Sequence, residues 1–405
     1  MSEWKKLKLS ECCSSIADGD HQPPPKAEAG IPFVTISNMT STNQFDFSDT
    51  LFVPQDYYDK LDEKRKARKD DILYSVVGSF GIPVFMKEDK AFVFQRHIAI
   101  LRPDNEKIVP RFLFYTMLTK DFYAKADAAA IGAAQRTVSL TALRNMEICI
   151  PDKIQQSKIV DTLADYDDLI ESNQKQIKLL EEAAQRLYKE WFVNLRFPGH
   201  EKTEIVDGVP EGWSKGTLGD IAIDSGKRET KDNRKNYSYY LPIDCLPKKS
   251  LSYQQMNDIG LAESSLVAFK AKDILFGAMR PYFHKVVVAR DNGLTRSTCF
   301  VINAKSKDVW EYLLMLLFDT DTIDYATQIS VGTTMPYVRW KDFVNMSVLI
   351  PTIEMCKKFG EIVNPIINKA NLLAEENIKI VEARDRLLPK LMSGEIEVGH
   401  DESEC

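Results

Sequence analysis

Two kinds of hydrophobic pattern alternate along the chain, and each occurs twice. Short apolar runs rich in β-branched and aromatic residues predict strands at Ile31 to Ser37, Asp71 to Val77, Ala91 to Leu101 and Leu143 to Ile150. A second set follows at Tyr239 to Ile243, Asp273 to Phe276, Lys285 to Ala289, Ser297 to Asn303 and Phe343 to Ile350. Helical stretches at Pro110 to Tyr123 and Asp308 to Phe318 interrupt the two sets. After Pro151 the period changes. Ile159, Leu163, Tyr166, Ile170, Asn173, Ile177, Leu180, Ala184, Leu187 and Trp191 are spaced by alternate steps of four and three, an a/d register in which Asn173 is polar. After Pro351 the same register holds Phe359, Val363, Ile366, Ala370, Leu373, Asn377, Ile380, Arg384, Leu387 and Leu391. Heptads sustained this long predict a paired coiled coil, against the alternative of two amphipathic helices each lying on its own domain.

The chain repeats itself. Ile131-Gly132-Ala133-Ala134-Gln135-Arg136-Thr137-Val138 precedes Ile150-Pro151, and Val331-Gly332-Thr333-Thr334-Met335-Pro336-Tyr337-Val338 precedes Ile350-Pro351 at an offset of 200. Met146 matches Met346 and Arg96 matches Arg296 at the same offset, and Asp71 to Tyr74 matches Asp273 to Phe276 at 202. Trp4 to Leu9 has the spacing of Trp213 to Leu218. The fold expected is therefore α+β, with two pseudo-symmetric mixed α/β domains at 1–151 and 198–351, spacer helices at 152–197 and 352–398, and a disordered tail at 399–405.

Chain order sets the helix direction. The first helix leads from the first mixed domain to the second, and an antiparallel return brings the C-terminus back without a long connector. About 40 residues at 1.5 Å each make a rod of roughly 60 Å at most, with a domain at each end. Asn173 and Asn377 either fix register as a buried polar pair or mark a solvated break in the seam. Pro365 and Pro389 predict a kink or helix start near 365 and a break near 389.

Composition narrows the function. The 405 residues, 44% hydrophobic and 10% aromatic, predict two to four folded domains and exclude a disordered chain. Net charge is −6, so any nucleic-acid contact must use local basic charge. No apolar run is long enough to span a bilayer. No apolar h-region follows Met1-Ser2-Glu3-Trp4-Lys5-Lys6, so no secretory leader is expected, and the cytoplasm is the expected location. The seven cysteines form no C-x-x-C pair and the five histidines are scattered, so neither a disulfide framework nor a metal site is expected.

Catalytic motifs are missing. There is no G-x-x-x-x-G-K-[ST] loop, no G-x-G-x-x-G after a strand and no Asn-Pro-Pro-aromatic tetrapeptide. Gly78-Ser79-Phe80-Gly81 reads as a small-residue turn, and Pro103-Asp104-Asn105-Glu106-Lys107 is too compressed to set two carboxylates around a metal. Basic clusters do stand out. Lys60, Lys64, Arg65, Lys66, Arg68 and Lys69 form one, and Lys227, Arg228, Lys231, Arg234 and Lys235, followed by Tyr237, Tyr239 and Tyr240, form another. Phosphate contacts need such charge, although a solvated helix face has it too. The candidates for phosphate contact are Lys64, Arg65, Lys66, Arg68, Lys69, Lys227, Arg228, Lys231, Arg234 and Lys235. Gln95-Arg96-His97, Gly132 to Thr137 and Arg296 to Thr298 carry side chains able to bond guanine and adenine edges.

Asp71 to Gly78, Asp273 to Lys285 with Arg280-Pro281-Tyr282-Phe283-His284-Lys285, Gly132 to Arg136, Leu179 to Phe192 and Leu387 to Val398, in this order and duplicated, resemble the specificity subunit of a type I restriction-modification system. The resemblance covers nearly all of residues 1 to 398. It implies a non-catalytic subunit in which each mixed domain is a target-recognition domain reading one half of a bipartite, asymmetric DNA site. It implies that the helices space these domains and dock two modification subunits, with restriction (motor-nuclease) subunits joining for cleavage. No cofactor is expected in this chain; S-adenosylmethionine and ATP with Mg are expected on the partners. Gln95, Arg96, Gln135, Arg136, Arg280 and Arg296 are the candidate base contacts. Leu163, Ile170, Asn173, Ile177, Leu180, Leu187, Val363, Leu373, Asn377, Ile380 and Leu387 are the candidate pairing positions. One departure matters: Met335-Pro336 stands where the first copy has Gln135-Arg136. The competing readings are a coiled-coil scaffold that does not bind DNA, and a self-standing DNA methyltransferase or nuclease.

Overall fold

The computed structural model describes residues 4–21, 23–40, 42–47, 50–132 and 135–398. The expected tail at 399–405, residues 1–3 of the start and the Ala133-Ala134 step lie outside the described residues. The chain divides into two compact units, one of 1–167 with 382–405 and the other of 168–381, so each long helix contributes to both.

In the first unit, strands β1 (Cys13–Asp18), β2 (Ile72–Ser75), β3 (Pro83–Phe85) and β4 (Ile98–Pro103) form an antiparallel sheet in the order β1-β4-β2-β3. In the second, β5 (Ala222–Asp224), β6 (Ile274–Gly277), β7 (Val286–Val288) and β8 (Cys299–Ala304) repeat it as β5-β8-β6-β7. The ladders correspond residue for residue: Ile72 faces Leu101, and Ile274 faces Ile302.

Both faces of each sheet are buried. Ile72, Tyr74, Ala99 and Leu101 enter one core with Phe112, Leu113 and Met117 of the helix Pro110–Leu118, while Leu73, Ile98 and Ile100 enter another with Phe92 and Phe94. Alternate side chains of a strand point to opposite faces, so a strand buried twice reads as an unbroken apolar run. Ile274, Phe276, Phe300 and Ile302 against Leu275, Val287 and Val301 do the same in the second unit. An aspartate opens each central strand at the same place. Asp71, 1% exposed, accepts Arg68 N–H at 2.9 Å and pairs with Arg102 at 2.8 Å; Asp273 accepts Lys270 N–H at 2.8 Å and Asn303 Nδ2 at 2.8 Å.

The smaller sheets differ. The first unit orders Leu51–Val53, Ile31–Val34 and Val93–Phe94 with the last two parallel. The second orders Lys227–Glu229, Leu266–Phe269 and Gly293–Arg296, all antiparallel.

Several expected strands are shorter or absent. Ile31 to Ser37 ends at Val34 and passes into a 3-10 turn, and Ala91 to Leu101 is split by the turn at Gln95 to His97. In Leu143 to Ile150 only Glu147–Ile150 is a strand, because Ser139 caps a helix over Leu140–Asn145 by accepting Ala142 N–H. Phe343 to Ile350 begins in the helix Trp340–Phe343. Tyr239 to Ile243 forms no strand: Tyr240 makes isolated bridges, and Pro242, which lacks an N–H, leads into a turn.

The long helices run Lys153–Tyr188, with a π-turn at Lys189–Val193, and Ile353–Ser393. Neither the start near Pro365 nor the break near Pro389 occurs. Each proline frees the carbonyl four residues earlier, at Glu361 and Asp385; all four residues are exposed, so water replaces the lost bond.

Within the second unit the two helices pair antiparallel. Asn173 Nδ2 donates to Asn377 Oδ1 at 3.0 Å, and Asn377 Nδ2 donates to the Ile170 carbonyl at 3.3 Å. Ile177 packs with Ala370, Leu373 and Ala374, and the Tyr188 and Phe359 rings lie 6.5 Å apart. Val363 is buried, and Leu180, Leu187 and Ile380 are half-buried. Within the first unit, Ile159 and Leu163 share a core with Leu388 and Leu391, and Asp167 accepts Arg384 at 2.7 Å and Tyr115 Oη at 2.7 Å. The buried positions depart from the strict heptad in both helices: in the first, Glu181 rather than Leu180, and Tyr188 rather than Leu187, is buried. In the second, Ile367 rather than Ile366, and Leu388 rather than Leu387, is buried, because a 3.6-residue turn drifts about 20° per heptad.

The second unit also buries a carboxylate on its first helix. Glu181 accepts Ser250 Oγ at 3.0 Å and Leu251 N–H at 2.9 Å, and burial pushes its pKa up to about 7. Among the described residues no helix is long and apolar enough to cross a membrane.

Candidate nucleic-acid interface

Each unit carries a hairpin docked beside its central strand. In the first, Ile131 and Thr137 exchange backbone bonds at 3.0 and 2.8 Å. Val138 N–H donates to Val76 at 2.9 Å, and Gly78 N–H donates to Arg136 at 2.9 Å. In the second, Val331 and Tyr337 exchange bonds at 3.0 Å, Val338 N–H donates to Ala278 at 2.9 Å, and Arg280 N–H donates to Pro336 at 2.7 Å. Gly132 (φ 102°) and Gly332 (φ 111°) both take a positive φ at the corresponding place. A Cβ on Gly132 would lie 2.5 Å from the Gln135 carbonyl, which fixes glycine there.

The frameworks match, but the side chains do not. Gly78 and Arg280 occupy one corresponding position, Gln135 and Met335 a second, Arg136 and Pro336 a third. At Gly78 a Cβ would stand 3.7 Å from Gln135 Nε2, an ordinary contact, so it is the left-handed backbone (φ 69°) and not space that favours glycine there. Arg280 takes the same left-handed conformation (φ 50°) with a side chain present, and sends Nη2 to the Thr334 carbonyl at 3.2 Å.

Arg136 does not extend freely. Its guanidinium binds the carboxylate and carbonyl of Asp127 and lies over Phe80 at 5.7 Å, and Phe80 stacks on Tyr123 with centroids 5.7 Å apart. A base contact by Arg136 requires release from Asp127, whereas exposed Gln135 requires none. Asp127 and Tyr123 were not singled out in the sequence. Gly78 stands in the small-residue turn Gly78 to Gly81, and its alignment with Arg280 marks a position that differs between the two copies of the frame.

The other base candidates divide. Gln95 is half-buried, its backbone tied to Val34 and Ile98, while Arg96 is exposed with its N–H on Asp20. Burial and the Arg96 charge lower the pKa of His97. Arg296 ends its strand exposed, within 3.4 Å of Ser264 Oγ.

The first basic cluster is interleaved with acids, and four of its six cations have acidic partners. Lys66 donates to Glu63 at 2.7 Å and to the Asp59 carbonyl at 3.2 Å, Arg68 donates to Glu63 at 2.6 Å, and Arg65 lies 3.8 Å from Asp18. These bonds hold the Glu63 carboxyl below its usual range and raise the pKa of Lys66. Lys60 pairs with Asp56 at 3.0 Å, while the exposed ammonium groups of Lys64 and Lys69 have no ion-pair partner among the described residues. In the second cluster, Lys231 meets Glu263 at 3.2 Å and Arg234 caps the Gly260 carbonyl at 2.9 Å. Lys227, Arg228 and Lys235 are exposed, the first two on an edge strand. Among the described residues no group of three or more His, Cys, Asp or Glu side chains is placed to hold a metal ion.

Comparison with known proteins accounts for these paired frames. A family model described as the type I restriction modification DNA specificity domain matches residues 1–182 and again 210–382. The MjaIX specificity subunit of Methanocaldococcus jannaschii is 27% identical over 310 residues, 72% of this chain and 70% of the relative. The HindI specificity subunit of Haemophilus influenzae is 22% identical over 98% of this chain and all of its own length. Among solved structures, the S subunit of a type I system from M. genitalium shares the fold, with a TM-score of 0.56 at 17% identity over 96% of each chain. Two matched copies of the domain, covering most of the sequence, place this chain in the type I restriction-modification DNA specificity family.

Proposed function

We propose that this chain is the DNA-reading subunit of a type I restriction-modification complex, in which each unit reads one half of a bipartite, asymmetric site. The observation that carries this reading is the repeated hairpin frame with different side chains at corresponding positions: Gly78 and Arg280, Gln135 and Met335, Arg136 and Pro336. A conserved frame keeps a reading head in place, and exchanged side chains change what it reads. Base contact is assigned first to Gln135, Arg96 and Arg296, then to Gln95, and to Arg136 and Arg280 once freed. Phosphate contact is assigned to Lys64, Lys69, Lys227, Arg228 and Lys235 ahead of Arg65, Lys66, Arg68, Lys231 and Arg234, which already have partners.

The long helices set the separation of the half-sites and dock two modification subunits, with restriction subunits completing the complex. S-adenosylmethionine, and ATP with Mg, act on those partners in the cytoplasm, while this chain supplies recognition. Site selection with the assembled complex tests the reading. Two defined half-sites separated by an unspecified spacer are expected; a single contiguous site, or no selectivity, would refute it.

A further inference from the structure

The hairpin of the second unit presents hydrocarbon where that of the first presents an amide. Met335 is 56% exposed and Val331 58% exposed. Two carbonyls beside them are engaged, that of Thr334 by Arg280 Nη2 and that of Pro336 by Arg280 N–H, and Pro336 has no N–H to offer, while the exposed Thr333 and Thr334 hydroxyls flank Met335. Val331 and Tyr337 satisfy each other across the hairpin base. The Met335 side chain itself offers a base edge only a thioether, a weak acceptor and no donor.

An exposed methionine at a reading position is stabilised only by an apolar partner. In the major groove the one apolar group on a base edge is the thymine 5-methyl. The unbranched thioether is flexible and polarizable, suited to lie against such a group. Arg280, pinned at the hairpin base, supplies positive charge beside it.

We propose that Met335, supported by Val331, recognises a thymine in the half-site of the second unit through its 5-methyl group, as the counterpart of a hydrogen-bonding Gln135 in the first. The proposal rests on the DNA-reading function given above and adds the chemistry of one position.

The test uses the full chain assembled with its modification subunits. The site is first defined by selection, and each thymine in it is then replaced by deoxyuridine, which removes only the methyl. One thymine, in the half-site whose selection changes in Met335→Ala, should lose about three- to fivefold in affinity, the effect of burying one methyl group. Met335→Ala should abolish that difference while leaving selection at the other half-site intact, which also shows that the variant is folded. Met335→Gln should move the preference at that position away from thymine. No deoxyuridine-sensitive position, or one that persists in Met335→Ala, overturns the assignment while selective binding keeps the DNA-reading function. A neighbouring 2-aminopurine that brightens on binding, with no effect of deoxyuridine, would instead mark Met335 as a wedge between base pairs and overturn it too. Loss of all sequence selectivity in the unaltered complex would remove the function itself.

Discussion

Replacing Asn377 with alanine should destabilise the helix pair more than replacing Asn173, and the two effects should not add. Asn173 is 3% exposed and Asn377 fully buried, and Asn173 Nδ2 has Asn377 Oδ1 as its acceptor. Asn377→Ala therefore strands a buried amide, at about 1–3 kcal/mol, and also removes the bond to the Ile170 carbonyl. Asn173→Ala leaves that second bond in place, so it should cost less, by roughly 1 kcal/mol. With both replaced no buried amide is stranded, and the double variant should cost about 1–3 kcal/mol less than the sum of the single ones. A chain of two units does not unfold in one step, so the assay is local: native-state hydrogen exchange of helix amides flanking 173 and 377. Equal single effects that add would refute the reasoning.

Glu181 gives a pH test. Its pKa is raised from 4.5 to about 7, so its stabilising contribution is complete below 4.5 and is lost as pH rises through 7. Glu181→Gln keeps an acceptor for Ser250 and Leu251, so it should match the wild type near pH 5 and unfold at a higher temperature at pH 8; a lower melting point at pH 8 would contradict this. Gln135→Ala should relax specificity in one half-site only, by about 1–3 kcal/mol at one position, read by site selection. Asp127→Ala should free Arg136 and alter selection in that same half-site; unchanged selection would show that Arg136 reads no base. Neutralising Lys64 or Lys69 should weaken binding to all sequences and lower the salt slope by about 1, while an unchanged slope would leave that lysine away from the phosphates.

The architecture was legible where a single period governed it. The four-three spacing located Ile170, Asn173 and Ile177 because a helix buries positions by angle alone, and it failed at Ile366 and Leu387 because that angle drifts from a strict heptad. Strands were found at Ile72–Ser75 and Ile274–Gly277, where both faces are apolar, and misjudged at Tyr239 to Ile243, where proline and long-range bridging decide. The two hairpins were visible as a repeat. What each presents was not, because the pairing of Arg136 with Asp127 and of Arg280 with Thr334 depends on tertiary folding that local sequence does not encode.

The asparagine pair carries a consequence about ancestry. At the offset of 200 that relates the two copies, Asn173 corresponds to Leu373 and Ile177 to Asn377, so the contacts Asn173–Asn377 and Ile177–Leu373 join the same two positions reciprocally, position 173 of one copy to position 177 of the other and the reverse. A one-unit ancestor would make the same contact with a second identical chain, as an isologous dimer. Identical chains bind palindromes, because protein symmetry is mirrored in the target. Joining the copies into one polypeptide makes the association independent of concentration and releases the halves from sharing a sequence. Divergence of Gln135 from Met335 is a change that only the fused chain can keep.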